Sequence, residues 1–269
     1  MLTNIAKGAS EPHTITSPVS SADAHVALEH VRMAFGRRRV LDDLSCGFPR
    51  GKISVILGPS GSGKSTILRL IGGLIRPRSG RVVVDGQDIT RMSEKRINEV
   101  RRKLGMLFQG GALLDSYTVF DNLALPLREK GRLTPREITQ EVHASLAAVG
   151  VSDAIRLLPR ELSGGMLRRV ALARAIIRKP SILLCDEPFS GLDSVSIKHI
   201  ESLLTGINRE SGVTLIIVSH HIPSTMRMAD RILLLMGQKS VEGSPSELRQ
   251  NADADVADFL NEGLEGALR

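Results

Sequence analysis

Residues Gly58-Pro59-Ser60-Gly61-Ser62-Gly63-Lys64-Ser65-Thr66 leave this chain little choice of fold. They follow the apolar run Ile53 to Leu57 and lead into Ile67-Leu68-Arg69-Leu70-Ile71, so the stretch reads as strand, glycine-rich loop and helix. That context makes the pattern G-x-x-x-x-G-K-[ST] a phosphate cradle. Glycines let successive backbone N–H groups turn inward on a polyanion, and the positive end of the following helix adds to the attraction. Lys64 is a point charge for β- and γ-phosphates, and Ser65 offers a hydroxyl to Mg²⁺. The rival reading, a flexible Gly/Ser linker, does not account for a buried-type strand before it and an apolar helix after it. The implied ligand is a nucleoside triphosphate.

The rest of the chain fits an α/β core. Val26 to Phe35 and Arg81 to Gly86 read as further strands, the latter ending in a turn. Ile182 to Cys185 and Val213 to Val218 are continuous apolar runs, as expected of strands buried on both faces of a parallel sheet, and Leu233 to Leu235 suggests one more. Between them the pattern turns helical from roughly Gln109 to Ile177. Thr134-Pro135-Arg136-Glu137 has the N-cap, N1 proline and N3 glutamate of a capping box, and its helix should run to about Gly150. A second helix follows Gly164-Gly165, with Met166, Val170, Ala173 and Ile177 on one face. Ser244-Pro245-Ser246-Glu247 repeats the capping-box pattern and opens a carboxyl-terminal helix. The expected organisation is a disordered tail over 1–24, one nucleotide-binding domain over 25–246 and an acidic helix or tail over 247–269.

Composition narrows the class without deciding it. At 269 residues, with 42% hydrophobic and 24% charged residues, the chain can bury a full core. No apolar run approaches the ~18–20 residues needed to cross a bilayer, and residues 1–24 lack the apolar stretch of a secretory signal. Cys46 and Cys185 lie far apart and imply neither a disulfide framework nor a zinc site, which points to a reducing compartment. The net charge of +7 is uneven, because the last 23 residues carry six acids and two bases. The basic clusters, Arg37-Arg38-Arg39 among them, suit nucleic acid, anionic headgroups or plain solvation equally. One Tyr, no Trp and six Phe leave few platforms for stacking single-stranded bases.

A phosphate loop alone leaves kinases, GTPases, motors and transporter ATPases open. Leu183-Leu184-Cys185-Asp186-Glu187 narrows the choice, since it is an apolar strand ending in two carboxylates. Asp186 would stand beside Mg²⁺ at the carboxyl edge of the sheet. Glu187 would face the water that attacks the γ-phosphate, as general base or orienting group. Leu162-Ser163-Gly164-Gly165-Met166 opens a helix about 100 residues after Lys64, and it is either a second anion site or an ordinary helix capped by Ser163.

Together with Gln109, Ser190-Gly191-Leu192-Asp193 and Ser219-His220, these segments occur in the order of an ABC-type ATPase, which the chain resembles over about residues 26–245. The resemblance implies a P-loop NTPase core with a mostly parallel sheet, an amino-terminal antiparallel β subdomain and a helical subdomain insert at about 109–177. It also implies ATP and Mg²⁺ as cofactors and a head-to-tail dimer in which each ATP lies between two copies. Ser163, Gly164 and Gly165 would then reach the partner's γ-phosphate, and Asp193 would belong to the loop beside it. Gln109 would touch Mg²⁺ or the attacking water and report nucleotide state to the helices. His220 would hold the γ-phosphate and Glu187, with His221 left as a surface residue. Phe35 is either an adenine-stacking residue or a core phenylalanine.

Chromosome-maintenance ATPases of this class insert long coiled coils, for which no heptads are present. Translation-type members fuse two ATPase halves, and one set of motifs is present. Met106 to Leu114, Val119 to Glu129, Met166 and Asp186-Glu187-Pro188-Phe189 are similar to Mla-type phospholipid-transport ATPases. That likeness implies a second copy of the chain, an integral permease (MlaE-like), an MCE-domain lipid-binding protein (MlaD-like) and a STAS-domain subunit (MlaB-like). No nucleic-acid partner is implied. The location would be the cytoplasmic face of a bacterial inner membrane, held peripherally through the permease. An importer of amino acids or other small polar solutes shares much of the pattern, and a soluble nucleic-acid-remodelling ATPase is the more distant alternative.

Overall fold

The computed structural model describes residues 24–131, 133–237, 239–250 and 253–265. The expected disordered tail therefore lies, but for its last residue, outside the described residues. The chain enters through two long antiparallel strands, β1 (Ala24–Phe35) and β2 (Arg38–Pro49), then β3 (Ile53–Leu57), the glycine loop and α1 (Lys64–Ile71). A hairpin of β4 (Ser79–Val84) and β5 (Gln87–Asp88) follows. Its turn residues, Asp85 and Gly86, both have positive φ (48° and 74°), as a two-residue type I′ turn requires. Next come α2 (Glu94–Arg101) and β6 (Leu104–Leu107). The helical segment then holds α3 (Val119–Lys130), α4 (Pro135–Ala148) and α5 (Gly164–Ile176). The chain closes with β7 (Ile182–Asp186), α6 (Ser194–Ser211), β8 (Thr214–Val218), α7 (Ile222–Met228), β9 (Arg231–Met236), β10 (Lys239–Gly243), α8 (Pro245–Arg249) and α9 (Ala254–Glu265).

The strands form two sheets. One is antiparallel, in the order β2-β1-β4-β5, and the other runs β10-β9-β3-β8-β7-β6, parallel except where β10 folds back on β9. Every residue of β3, β7 and β8 is buried, which explains their continuous apolar sequences. Ile56 pairs with Val218, and Val218 with Asp186, so three strands end at one carboxyl edge. Open α/β sheets bind ligands at that edge.

Apolar packing divides into three clusters. One lies around α1, between the two sheets, and includes Phe48, Ile67, Leu70, Val82 and Ile216. A second covers the other face of the six-stranded sheet, where Leu172, Ile200, Leu204 and Ile222 meet the strands. The third belongs to the helical segment, where Leu123, Val142, Leu146 and Val170 pack α3, α4 and α5 together. The fold class is the one expected, an α/β core with an antiparallel sheet and a helical insert. The carboxyl-terminal helix and the strand β2 are among the elements that differ from the expectation. The capping box at Ser244 is present, but its helix ends at Arg249, and α9 begins separately at Ala254. The strand β2 went unread, because its polar residues at 42, 43 and 45 interrupt the apolar pattern.

Candidate functional site

A cleft of about 550 Å³ opens above the carboxyl edge, and its floor is the glycine loop from Ser60 through Gly61, Gly63 and Lys64 to Ser65 and Thr66. The loop owes its path to backbone that only glycine supplies. Gly58 has φ 144°, and a Cβ there would lie 2.5 Å from the Leu235 carbonyl oxygen. Gly63 caps α1 at φ 102° without any side-chain cap, so the first N–H groups of the helix face the cleft unclaimed by a side chain. Pro59 and Ser62 complete the loop; Ser62 Oγ is buried without a hydrogen-bond partner.

Lys64 is buried, and its Nζ donates to the carbonyls of Gly58 at 2.7 Å and Pro59 at 2.9 Å. Burial pulls its pKa down, while Glu187 and Asp186 pull it up. Ser65 Oγ donates to Asp186 Oδ1 at 2.9 Å. This hydroxyl and carboxylate, with the Gln109 amide bordering the same cleft, are the oxygen donors a hard divalent cation prefers. Among the described residues no group of three or more His, Cys, Asp and Glu side chains stands ready for a metal. Any ion here would share its coordination between these oxygens, water and phosphate, which is how Mg²⁺ is usually held.

Glu187 follows the end of β7 with φ 51°, a conformation rare outside glycine. Its N–H donates to the Val218 carbonyl at 2.9 Å, which locks the strained turn to the neighbouring strand. The buried carboxylate therefore points into the cleft. It receives His220 Nδ1 at 2.8 Å and the His220 backbone N–H at 3.3 Å. Phe35 stands at the cleft wall with 49% of its surface exposed, which excludes the core reading and leaves a free aromatic face.

Ser163, Gly164, Gly165 and Asp193 do not line this cleft. Ser163 caps α5, its Oγ accepting from the Met166 N–H at 3.3 Å. Asp193 caps α6 by accepting from the N–H groups of Val195 and Ser196 and from the Ser196 hydroxyl. The two caps are neighbours, since a Cβ on Gly165 would lie 3.0 Å from Ser196 Oγ. Ser163 and Gly164 are exposed. One copy of the chain thus carries a phosphate cradle and, apart from it, a second glycine-led helix start whose first residues are exposed.

Several residues of the site escaped the sequence reading. Arg38 and Val40 line the cleft, and Arg38 Nη2 lies 3.4 Å from the Gly61 carbonyl. In sequence Arg38 is one of three arginines, and only its pairing opposite Phe35 at the β1–β2 tip selects it. Arg168 is buried in α5 and donates to the carbonyls of Ser190 at 3.1 Å and Phe108 at 3.4 Å. It joins the second helix start to the segments on either side of the cleft. Arg174 and Asn122 hold the stretch after Gln109, through the carbonyls of Gly111 and Ala112 and of Leu114, Tyr117 and Thr118. His221 is no surface residue, because its ring is part-buried and caps α7.

An antiparallel sheet and a helical bundle, both set on a P-loop core with a second glycine-led helix facing outward, is the architecture of an ATP-binding cassette. The chain belongs to the ABC transporter family, whose profile matches residues 41–190. It is an ATPase, and ATP is its nucleotide. More particularly, it is 42% identical over 245 residues to the intermembrane phospholipid transport system ATP-binding protein MlaF of Haemophilus influenzae, covering 91% of this chain and 93% of that one. The MlaF protein of Escherichia coli K12 is 44% identical over 237 residues, 88% of each chain. Among solved structures, a dimeric ATP-binding cassette in a post-hydrolysis state with ADP and phosphate superposes with a TM-score of 0.76. It is 32% identical and covers 82% of this chain and 98% of that one.

Proposed function

We propose that this chain is the ATP-hydrolysing subunit of an ABC transporter that moves phospholipid between the inner and outer membranes of a bacterium. The observation that carries this reading is identity of 42–44% to two MlaF proteins along about nine-tenths of the chain. Residues 25–246 form the ATPase, with about 109–177 as its helical insert. Gly58 to Thr66 cradle the phosphates, Phe35 stacks on the adenine and Lys64 swings from the Gly58 and Pro59 carbonyls to the β- and γ-phosphates. Ser65, Asp186 and Gln109 would hold Mg²⁺, which when bound neutralises charge on the phosphates. Glu187 orients a water on the γ-phosphate and takes its proton as the bond to the bridging oxygen breaks, giving ADP and phosphate. His220 keeps the Glu187 carboxylate aimed. Ser163, Gly164, Gly165 and Asp193 act on the ATP of a second copy in a head-to-tail dimer.

Among the described residues no helix is long and apolar enough to cross a membrane. In this reading the work reaches the bilayer through an MlaE-like permease, gripped by the stretch after Gln109 at the cytoplasmic face of the inner membrane. An MlaD-like MCE protein and an MlaB-like STAS subunit complete the assembly.

Two measurements test this. Glu187→Gln lowers kcat by at least about 100-fold while ATP affinity stays within about threefold; hydrolysis at the wild-type rate overturns the role of Glu187. Purification of the tagged chain from detergent-solubilised membranes yields a permease, an MCE-domain protein and bound phospholipid. Co-elution with a receptor for polar solutes overturns the lipid reading.

A further inference from the structure

We propose that His221 is a positioning residue for His220, its neutral imidazole fixing the turn from which His220 reaches Glu187. The proposal rests on the role given above to His220. The His220 side chain is 63% exposed, so packing does not hold it. The backbone just after it, in contrast, is tied down at every polar atom. The His221 N–H donates to the buried Ser219 Oγ at 2.9 Å, and the His221 carbonyl accepts from the Thr225 N–H at 3.2 Å and the Thr225 hydroxyl at 3.0 Å. The His221 ring closes the turn. Its Nδ1 accepts from the Ser224 N–H at 3.2 Å and lies 2.5 Å from Ser224 Oγ. The same ring packs on Phe189, with centroids 5.9 Å apart and planes at 53°. Phe189 is buried and stands two residues beyond Glu187. One imidazole therefore joins the start of α7 to the chain that carries the catalytic carboxylate.

Helix caps are normally short oxygen-bearing side chains. An imidazole can replace them only while Nδ1 is unprotonated, with the proton on Nε2. Ser224 and Thr225 are fully buried, so water cannot take over the cap. The charged groups facing the ring are Glu201 of α6, Arg227 of α7 and His220 itself, and Glu201 and Arg227 pair at 2.6 Å. Burial draws the His221 pKa below its ordinary value; Glu201 opposes this, and Arg227 and His220 reinforce it. The ring is neutral and capping at neutral pH, and the cap fails on acidification.

The test compares steady-state ATP hydrolysis by the full chain and its His221→Ala, His221→Asp, His220→Ala and doubly substituted variants from pH 5.5 to 8.5. At pH 7.5, His221→Ala lowers kcat about tenfold with KM for ATP within about twofold, and His221→Asp, which caps without an imidazole, restores kcat to within about twofold. The ratio of wild-type to His221→Asp activity falls at the acid end of this range, a change that His220 and Glu187, common to both proteins, cannot produce. In the double variant, loss of His221 adds nothing to loss of His220, as for two residues acting as one unit. Wild-type kcat in His221→Ala, or additive losses in the double variant, overturns the proposal and leaves the site reading intact. Undiminished activity in His220→Ala overturns the site reading, and the proposal with it. Should His221→Ala fail to fold, the His221→Asp pH ratio decides alone, and a flat ratio overturns the proposal.

Discussion

Glu187 and Arg38 show how single residues acquire roles that their types do not carry. A glutamate at φ 51° is held at a cost of order 1 kcal/mol, and the backbone bond to Val218 is what keeps it there. Arg38 is an ordinary exposed arginine until the hairpin places it over Gly61. Its guanidinium borders the cleft at the Gly61 carbonyl of the phosphate loop, and no contact ties it to Glu187 among the described residues, so its expected contribution is to binding more than to the chemical step. Arg38→Ala should raise KM for ATP about three- to tenfold and leave kcat within about twofold, read from steady-state hydrolysis. An equal fall in kcat would instead place Arg38 at the reacting phosphate.

Elements carry both coupling and pH response. The helix α5 begins at the outward-facing cap and continues through Arg168, which grips Ser190 and Phe108, and Arg174, which grips Gly111 and Ala112. These bonds tie one helix to the segments that flank Gln109 and Glu187. At the sheet edge, Glu242 of β10 is buried, and burial pushes its carboxyl up to about 7, with Arg231 Nη2 at 3.6 Å opposing. From about pH 4.5 to 7 the folded chain keeps a proton that the unfolded chain has released, so stability falls as pH rises through that window. Glu242→Gln mimics the protonated state. It should melt near the wild-type temperature at pH 5 and roughly 3–6 °C above it at pH 8, by calorimetry.

The whole molecule is held together where its two sheets meet. Asp85 accepts from Arg50 and Lys103, each at 2.6 Å, and these cations keep its carboxyl at about 2. Beside it, His25 Nδ1 lies 2.6 Å from Thr214 Oγ1, which also accepts from the Gly51 N–H. The cradle and the Ser163 cap do not share a cleft in one copy of the chain. Under the head-to-tail reading, Lys64→Ala and Ser163→Arg are each inactive alone. Mixing them restores one intact composite site per mixed dimer, roughly a quarter of the wild-type sites for random pairing. Hydrolysis that does not recover on mixing counts against a site built from two copies.

How much of this was legible beforehand depended on the range of the interactions. Gly58 to Thr66, the apolar strands over 53–57 and 182–186 and the capping boxes at Thr134 and Ser244 were readable, because loop, period and cap are written within a few residues. Local sequence alone thus determined an α/β core, a phosphate loop and a strand-end carboxylate pair. The polar interruptions of β2 hid a strand whose partner lies across a hairpin. His221 looked like surface because its contacts, Phe189 among them, come from a segment more than thirty residues away. Tertiary structure decided that Phe35 is exposed at the cleft, that Arg38 among three arginines faces the loop and that Arg168 links three segments. It also decided that the Ser163 cap faces outward. Those facts depend on strand register and on which faces pack, and side-chain pattern over a few residues encodes neither.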